Sequence, residues 1–237
     1  MKQLTSLLAL SLAAVSGLGA QTIAFVGYNA DGTDDLAFVA LSDIAADTSI
    51  IFTDNEWSGT AFNTGESFTT WTATSAVSAG TVVVFNNFTT GTTASVGTLA
   101  PLSVSGSANR GFATGGDGIY AYVGSGATPT SFLAFINAGD AGVSTGTGLA
   151  SGQIVLLSAS SDGGAYTGPR SGLSSLSAYL AEIGNVATHW TDIANGDGNT
   201  LLPFNTTAFS AVPEPASAAA LAGLGILGFA ASRRRRA

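Results

Sequence analysis

The sequence predicts a single all-β sandwich, and three observations predict it. Short runs rich in β-branched and aromatic residues alternate with period two. Clusters of Gly, Asn, Asp and Ser separate those runs and supply turn chemistry. Apolar residues make up 46% of the 237 residues, enough to cover the inner faces of two sheets.

The expected strands, in order, are Thr22–Tyr28, Leu36–Leu41, Ser49–Thr53, Phe68–Thr72, Thr81–Phe85, Ile119–Val123, Ser131–Ile136 and Gln153–Leu157. Asn29-Ala30-Asp31-Gly32, Gly115-Gly116-Asp117-Gly118 and Asp162-Gly163-Gly164 read as turns between strands. Leu173, Leu176, Leu180 and Ile183 recur at helical spacing with Gly184 as a stop, so one short helix is expected over 173–183. No repeat is visible and no Pro-rich linker precedes residue 203. One domain over residues 21–205 is therefore expected, followed by a tether at 206–212.

Both ends obey different rules from this body. Residues 1–20 hold Lys2, an apolar run from Leu4 to Val15, and small residues up to Ala20. Those are the parts of a secretory signal peptide, too short to span a bilayer. At the other end, Val212-Pro213-Glu214-Pro215 precedes an uncharged stretch over 216–231, followed by Arg233, Arg234, Arg235 and Arg236. The stretch is apolar on all sides and just short of the usual spanning length, so a single marginal transmembrane helix is expected. The positive-inside rule keeps its Arg tail cytoplasmic and the body outside.

Val212-Pro213-Glu214-Pro215, the Gly-rich apolar stretch and the Arg run, in that order, resemble the PEP-CTERM protein-sorting domain of Gram-negative bacteria. The resemblance implies recognition by a membrane-embedded exosortase. It implies a cut near Pro213-Glu214-Pro215 and delivery from the inner membrane to the cell surface or the extracellular, exopolysaccharide-rich biofilm matrix. The two prolines hold the segment extended, as an accessible peptide must be. Ile23-Ala24-Phe25-Val26-Gly27-Tyr28-Asn29 and Asp34-Asp35-Leu36-Ala37-Phe38-Val39-Ala40-Leu41 are also similar to the start of lamin-tail-type Ig-like sandwiches of bacterial surface proteins. That likeness implies a structural or adhesive body. The expected architecture is thus an Ig-like or jelly-roll-like sandwich with one short helix, a signal helix before it and a transmembrane helix after it.

Charge and rare residues exclude several function classes. Cys is absent and there is one His, so disulfide scaffolds, thiolate-ligated metals and multi-His centres are impossible. Between residues 21 and 212 lie 14 acidic residues against two Arg, a formal charge of −12. Such a body is a poor nucleic-acid partner and suits divalent-cation contact outside the cell.

Four chemistries remain as candidates. Asn29, Asp31, Asp34 and Asp35 place oxygen ligands around Gly32, as calcium prefers, and Asn195–Asn199 is a second such cluster. Without calcium these are Asx turns, and no other cofactor is expected. Asp54 and Glu56, two apart after a strand and beside Trp57, have the spacing for a carboxylate pair, so a glycoside hydrolase is the remote enzymatic alternative. His189 with Asp192 is a minimal base-and-acid pair, but no Gly-x-Ser-x-Gly elbow accompanies it. Trp57 and Trp71, with the other aromatics, offer stacking faces for exopolysaccharide, or else they pack the core. A non-enzymatic structural or adhesive module is the expectation, and a carbohydrate-binding module, with or without calcium, is the alternative.

Overall fold

A computed structural model describes residues 23–88, 93–106, 111–114, 116–140 and 142–212. The expected signal peptide, the expected transmembrane stretch and the motif residues from Pro213 onward lie outside the described residues. Among the described residues, twelve strands form two six-stranded sheets. The first sheet comprises β1 (Ile23–Asn29), β2 (Asp35–Ala40), β5 (Val82–Asn86), β6 (Thr93–Ala94), β11 (Ser161–Tyr166) and β12 (Trp190–Ala194), in the order β12-β11-β1-β2-β5-β6. The second comprises β3 (Ser49–Thr53), β4 (Phe68–Thr72), β7 (Thr98–Pro101), β8 (Gly118–Ser125), β9 (Thr128–Asn137) and β10 (Ile154–Leu156), in the order β10-β9-β8-β3-β4-β7. All pairings are antiparallel except β10 with β9. The all-β sandwich expected from the alternation is the observed architecture.

Aromatic rings join the sheets. Phe52 on β3 sits 6.1 Å from Phe25, 5.7 Å from Phe38 and 5.0 Å from Phe85, so three strands of the first sheet meet one ring of the second. Trp71 on β4 meets Phe38 edge-on at 5.3 Å. Pairs of this kind stabilise by about 0.5–1.5 kcal/mol each beyond the area they bury. A second cluster covers the outer face of the second sheet. There Trp57 and Phe62 from the β3–β4 loop lie on Tyr120, Tyr122 and Phe132.

Two expectations need correcting. Asp162-Gly163-Gly164 is not a turn; it lies within β11, which pairs with both β1 and β12. Glycine is present for closeness rather than for turning. A Cβ on Gly163 would come within 2.9 Å of Gly198, and one on Gly164 within 2.7 Å of Leu157. The helix expected over 173–183 is also shorter. Leu173 makes a bridge to Ala211, a 3-10 turn runs over Leu176–Ala178, and only Tyr179–Ile183 is α-helical (α1). Ser175 caps the 3-10 turn by accepting from the Ala178 N–H, which starts the turn later than the apolar spacing suggested. A second short helix, α2 (Val186–His189), leads directly into β12.

Residues 206–212 do not hang free as a tether. Phe209 is buried against Tyr166 and Tyr179, with ring centroids 5.7 and 5.2 Å away, and the Arg170 guanidinium lies 4.8 Å over its ring. The chain is then tied by Phe209 N–H to the Gly80 carbonyl, Ser210 N–H to that of Arg170 and Val212 N–H to that of Leu173, each at 2.8 Å. Phe204, just upstream, lies on β1 where a Cβ on Gly27 would come within 2.8 Å of its ring. This strap behaves as part of the domain because an aromatic anchor and a run of backbone bonds outweigh its ordering entropy.

Two truncations separate these roles. Phe52→Ala is expected to cost about 3–5 kcal/mol in urea unfolding, as core aromatic truncations do. Phe209→Ala should leave the sheets folded but expose residues 203–212 to limited proteolysis, read by mass spectrometry of the fragments. Resistance equal to that of the unaltered protein would refute the anchoring role.

Candidate functional site at the acidic end and the strapped exit

Strand direction sorts the charges. β1, β3, β5 and β9 end, and β2, β4, β8 and β11 begin, at one end of the sandwich. Ten of the fourteen acidic residues of 21–212 lie there. They are Asp31, Asp34 and Asp35 between β1 and β2; Asp54, Glu56 and Glu66 between β3 and β4; Asp117 and Asp140 beside the β8–β9 pair; and Asp162 and Asp197. The strap, α1 and α2 occupy the opposite end with Asp43, Asp47 and Glu182.

The two clusters read as calcium candidates come together in space. Gly198 N–H donates to Asp31 Oδ2 at 2.6 Å, and the Asn29 amide donates to Asn199 Oδ1 at 3.3 Å. Asn29 Nδ2 also donates to Asp35 Oδ2 at 3.1 Å, while Asp35 Oδ1 accepts from the Asn87 N–H at 3.0 Å. Asp34, at a left-handed φ of 56°, accepts from Phe112 N–H at 2.8 Å. The arrangement is a set of Asx turns and loop clasps, with an amide NH2 pointing at a carboxylate where a cation would otherwise lie. Among the described residues no group of three carboxylates or imidazoles is disposed to hold a metal ion.

Asp54 and Glu56 belong to a different cluster, together with Glu66 and Asp117, which the sequence did not single out. Asp54 is buried, and its Oδ1 accepts from Ser67 N–H at 2.8 Å and Ser67 Oγ at 3.0 Å. Asp54 Oδ2, Glu56 Oε2 and Glu66 Oε2 are buried oxygens with no hydrogen-bond partner among the described residues. Burial pushes the Asp54 carboxyl up to about 6, against the pull of the Ser67 bonds. Burial, then the charges of Asp54 and Glu56, pushes Glu66 up to about 7. Asp117 rises to about 8 through burial, with Asp54 and Glu66 adding to it and the Ala113 and Gly118 N–H bonds opposing it. These groups can hold and exchange protons near neutrality. The only sequence signal for Glu66 and Asp117 was their position beside strand ends.

The aromatic candidates are buried. Trp71 is fully buried and its indole N–H donates to the Val96 carbonyl at 2.7 Å. Trp57 is buried too, donating to the Thr145 carbonyl at 3.0 Å. Trp190 donates to the Ile183 carbonyl at 2.8 Å. His189 Nε2 lies 2.7 Å from Glu182 Oε2, while Asp192 accepts from Ser161 Oγ and Ser158 N–H at 2.7 Å each, so the structure gives His189 and Asp192 separate partners. A depression of about 390 Å³ near α1 is lined by Ser151, Gly152, Ala181, Gly184 and Asn185, which offer it no carboxylate, imidazole or ring.

At the opposite end the strap holds the chain by hydrogen bonds as far as Val212, immediately before Pro213. Residues 211–236 match the PEP-CTERM protein-sorting motif. No curated protein and no solved structure matches the chain. The motif supports exosortase-targeted export and cell-surface sorting of the chain that carries it. Of the predicted motif residues, Val212 is the one within the described residues, and it is exposed.

The raised carboxyls give a signed pH dependence. A carboxyl whose folded value exceeds its unfolded value of about 4 stabilises the fold fully below that value and loses the contribution as pH rises through the folded value. Melting temperature should therefore fall between about pH 5 and pH 8.5, across the values of Asp54, Glu66 and Asp117. Asp54→Asn, which keeps an acceptor for Ser67, should gain about 2 kcal/mol at pH 8 and flatten the slope. A slope unchanged in the variant would show that the Asp54 charge is not the source.

Proposed function

We propose that the body is a passive structural or adhesive module of the cell surface or matrix, presented there after an exosortase acts near Pro213-Glu214-Pro215. The reading is carried by where the reactive groups point. All three Trp indoles lie in the core or under loops with their N–H groups bonded to backbone carbonyls. The Asp34 and Asp35 carboxylates accept backbone N–H groups that hold loops together. Side chains that a stacking sugar site would need are thus spent on the fold. The membrane stretch over 216–231 acts as a hold during transit, and the sorting tag determines the destination.

Deletion of residues 213–237 should leave the body folded and move it from the cell surface to the periplasm or the medium, read by cell fractionation and surface proteolysis. Unchanged surface display would refute the sorting reading.

A carbohydrate-binding module, with or without calcium, is the second reading; the partnerless oxygens of Asp54, Glu56 and Glu66 leave acceptors for a sugar hydroxyl, although they do not form a three-carboxylate metal group. It requires that millimolar calcium raise the melting temperature, that chelator reverse this, and that a glycan array give calcium-dependent hits. Identical melting with calcium and chelator, and an array without hits, would leave the structural module alone.

A further inference from the structure

The folded strap fixes where the chain leaves the body, and a short count of residues fixes how far the body can stand from the uncharged stretch beyond it. Val212 is bonded to Leu173, and Phe209 three residues earlier is buried under Arg170. Only Pro213, Glu214 and Pro215 separate Val212 from the uncharged stretch that begins at Ala216. From Val212 to Ala216 a chain reaches at most about 14 Å, however it is folded. Roughly 6 Å of that is needed to cross one headgroup layer. The acidic loops lie at the far end of strands such as β1, whose seven residues span about 20 Å.

From this we infer that, before it is processed, the body is seated with its strap end against the lipid headgroups and its acidic end directed away from the bilayer. The inference rests on the reading of 216–231 as a membrane hold. The surface in question comprises the strap, the Arg170 loop and the turn at Ser78–Gly80, and its occupant is a phospholipid surface. The charge distribution agrees with the tether length. The strap end carries Arg170 and three carboxylates against ten at the acidic end; of the three, Asp43 accepts from Ala79 N–H at 2.8 Å and Glu182 faces His189 at 2.7 Å, with Asp47 the third. The acidic end lies about two Debye lengths from an anionic surface at physiological salt, far enough to escape most of its repulsion. The seating would place the strap and the motif in the layer where a membrane-embedded enzyme works, and the acidic loops where they meet the outside.

The absence of Cys permits clean single-site labelling. Ser78→Cys at the strap end and Thr33→Cys at the acidic end are both at exposed positions. The full chain, labelled with an environment-sensitive fluorophore, is reconstituted into equimolar phosphatidylethanolamine–phosphatidylglycerol vesicles containing a headgroup-linked nitroxide. The Ser78 label should be quenched several-fold more than the Thr33 label. A flexible Gly/Ser stretch of about 20 residues between Val212 and Pro213 should bring the two close to equality. Equal quenching without the insertion, or a difference that survives it, would overturn the seating. Flotation separates the two failures. A chain that floats with the vesicles but quenches equally has a membrane hold without the seating. A chain that does not float lacks the hold, and the seating falls with it.

Discussion

Phe52 is the point on which the two sheets depend. Its ring touches Phe25, Phe38 and Phe85 across the interface, so one side chain of the second sheet registers three neighbouring strands of the first. Trp71 on the next strand repeats the contact through Phe38. A chain with 9% charged residues has little else to work with. Among the described residues, the ion pair within 4 Å is that of His189 with Glu182, and it is partly exposed, where such pairs contribute little. Apolar burial and ladder hydrogen bonds must therefore supply nearly all of the stability, and large rings are the efficient way to obtain it.

Given that core, the carboxylates have a different task. They act mainly as acceptors for loop N–H groups. Asp34 holds Phe112, Asp35 holds Asn87, Asp54 holds Ser67 and Asp31 holds Gly198. Each joins segments far apart in sequence, and charge-assisted bonds of this kind are about twice as strong as neutral ones. Concentrating them at one end costs mutual repulsion, which adds to burial in raising Asp54, Glu66 and Asp117. The fold thus accepts proton binding near neutrality as the consequence of closing its loops with carboxylates.

The parts that were legible in the sequence were those where side chains alternate on a half-buried strand. Ser49–Thr53 and Phe68–Thr72 are observed at the expected bounds because β-branched and aromatic residues mark both faces. β11 was illegible because Asp162-Gly163-Gly164 has turn composition; its glycines answer to Gly198 and Leu157, which are brought against them only by the fold. The short β6 and β7 and the later β12 depend likewise on partners rather than on their own pattern. The same limit applied to the acidic end. Asp54 and Glu56 were visible as a spaced pair, but Glu66 and Asp117 join them only through loop closure. The burial of Trp57 and Trp71 could not be read either, since a ring suits a sugar face and a core equally.

The C-terminal strap shows why the boundary of a domain is a physical matter rather than a compositional one. Residues 203–212 have the Pro, Asn, Thr and Ser content of a linker, yet two buried rings, Phe204 and Phe209, and three backbone bonds hold them to the body. Moving the boundary from 205 to 212 removes the slack between the body and the sorting motif. A flexible seven-residue tether would have let the body turn freely, since such a coil spans about 15 Å on its own. With the strap closed, the point at which the chain leaves the body, Val212, becomes a property of the folded unit. Loosening Phe209, three residues before Val212, would then free that exit point without touching any residue from Val212 onward.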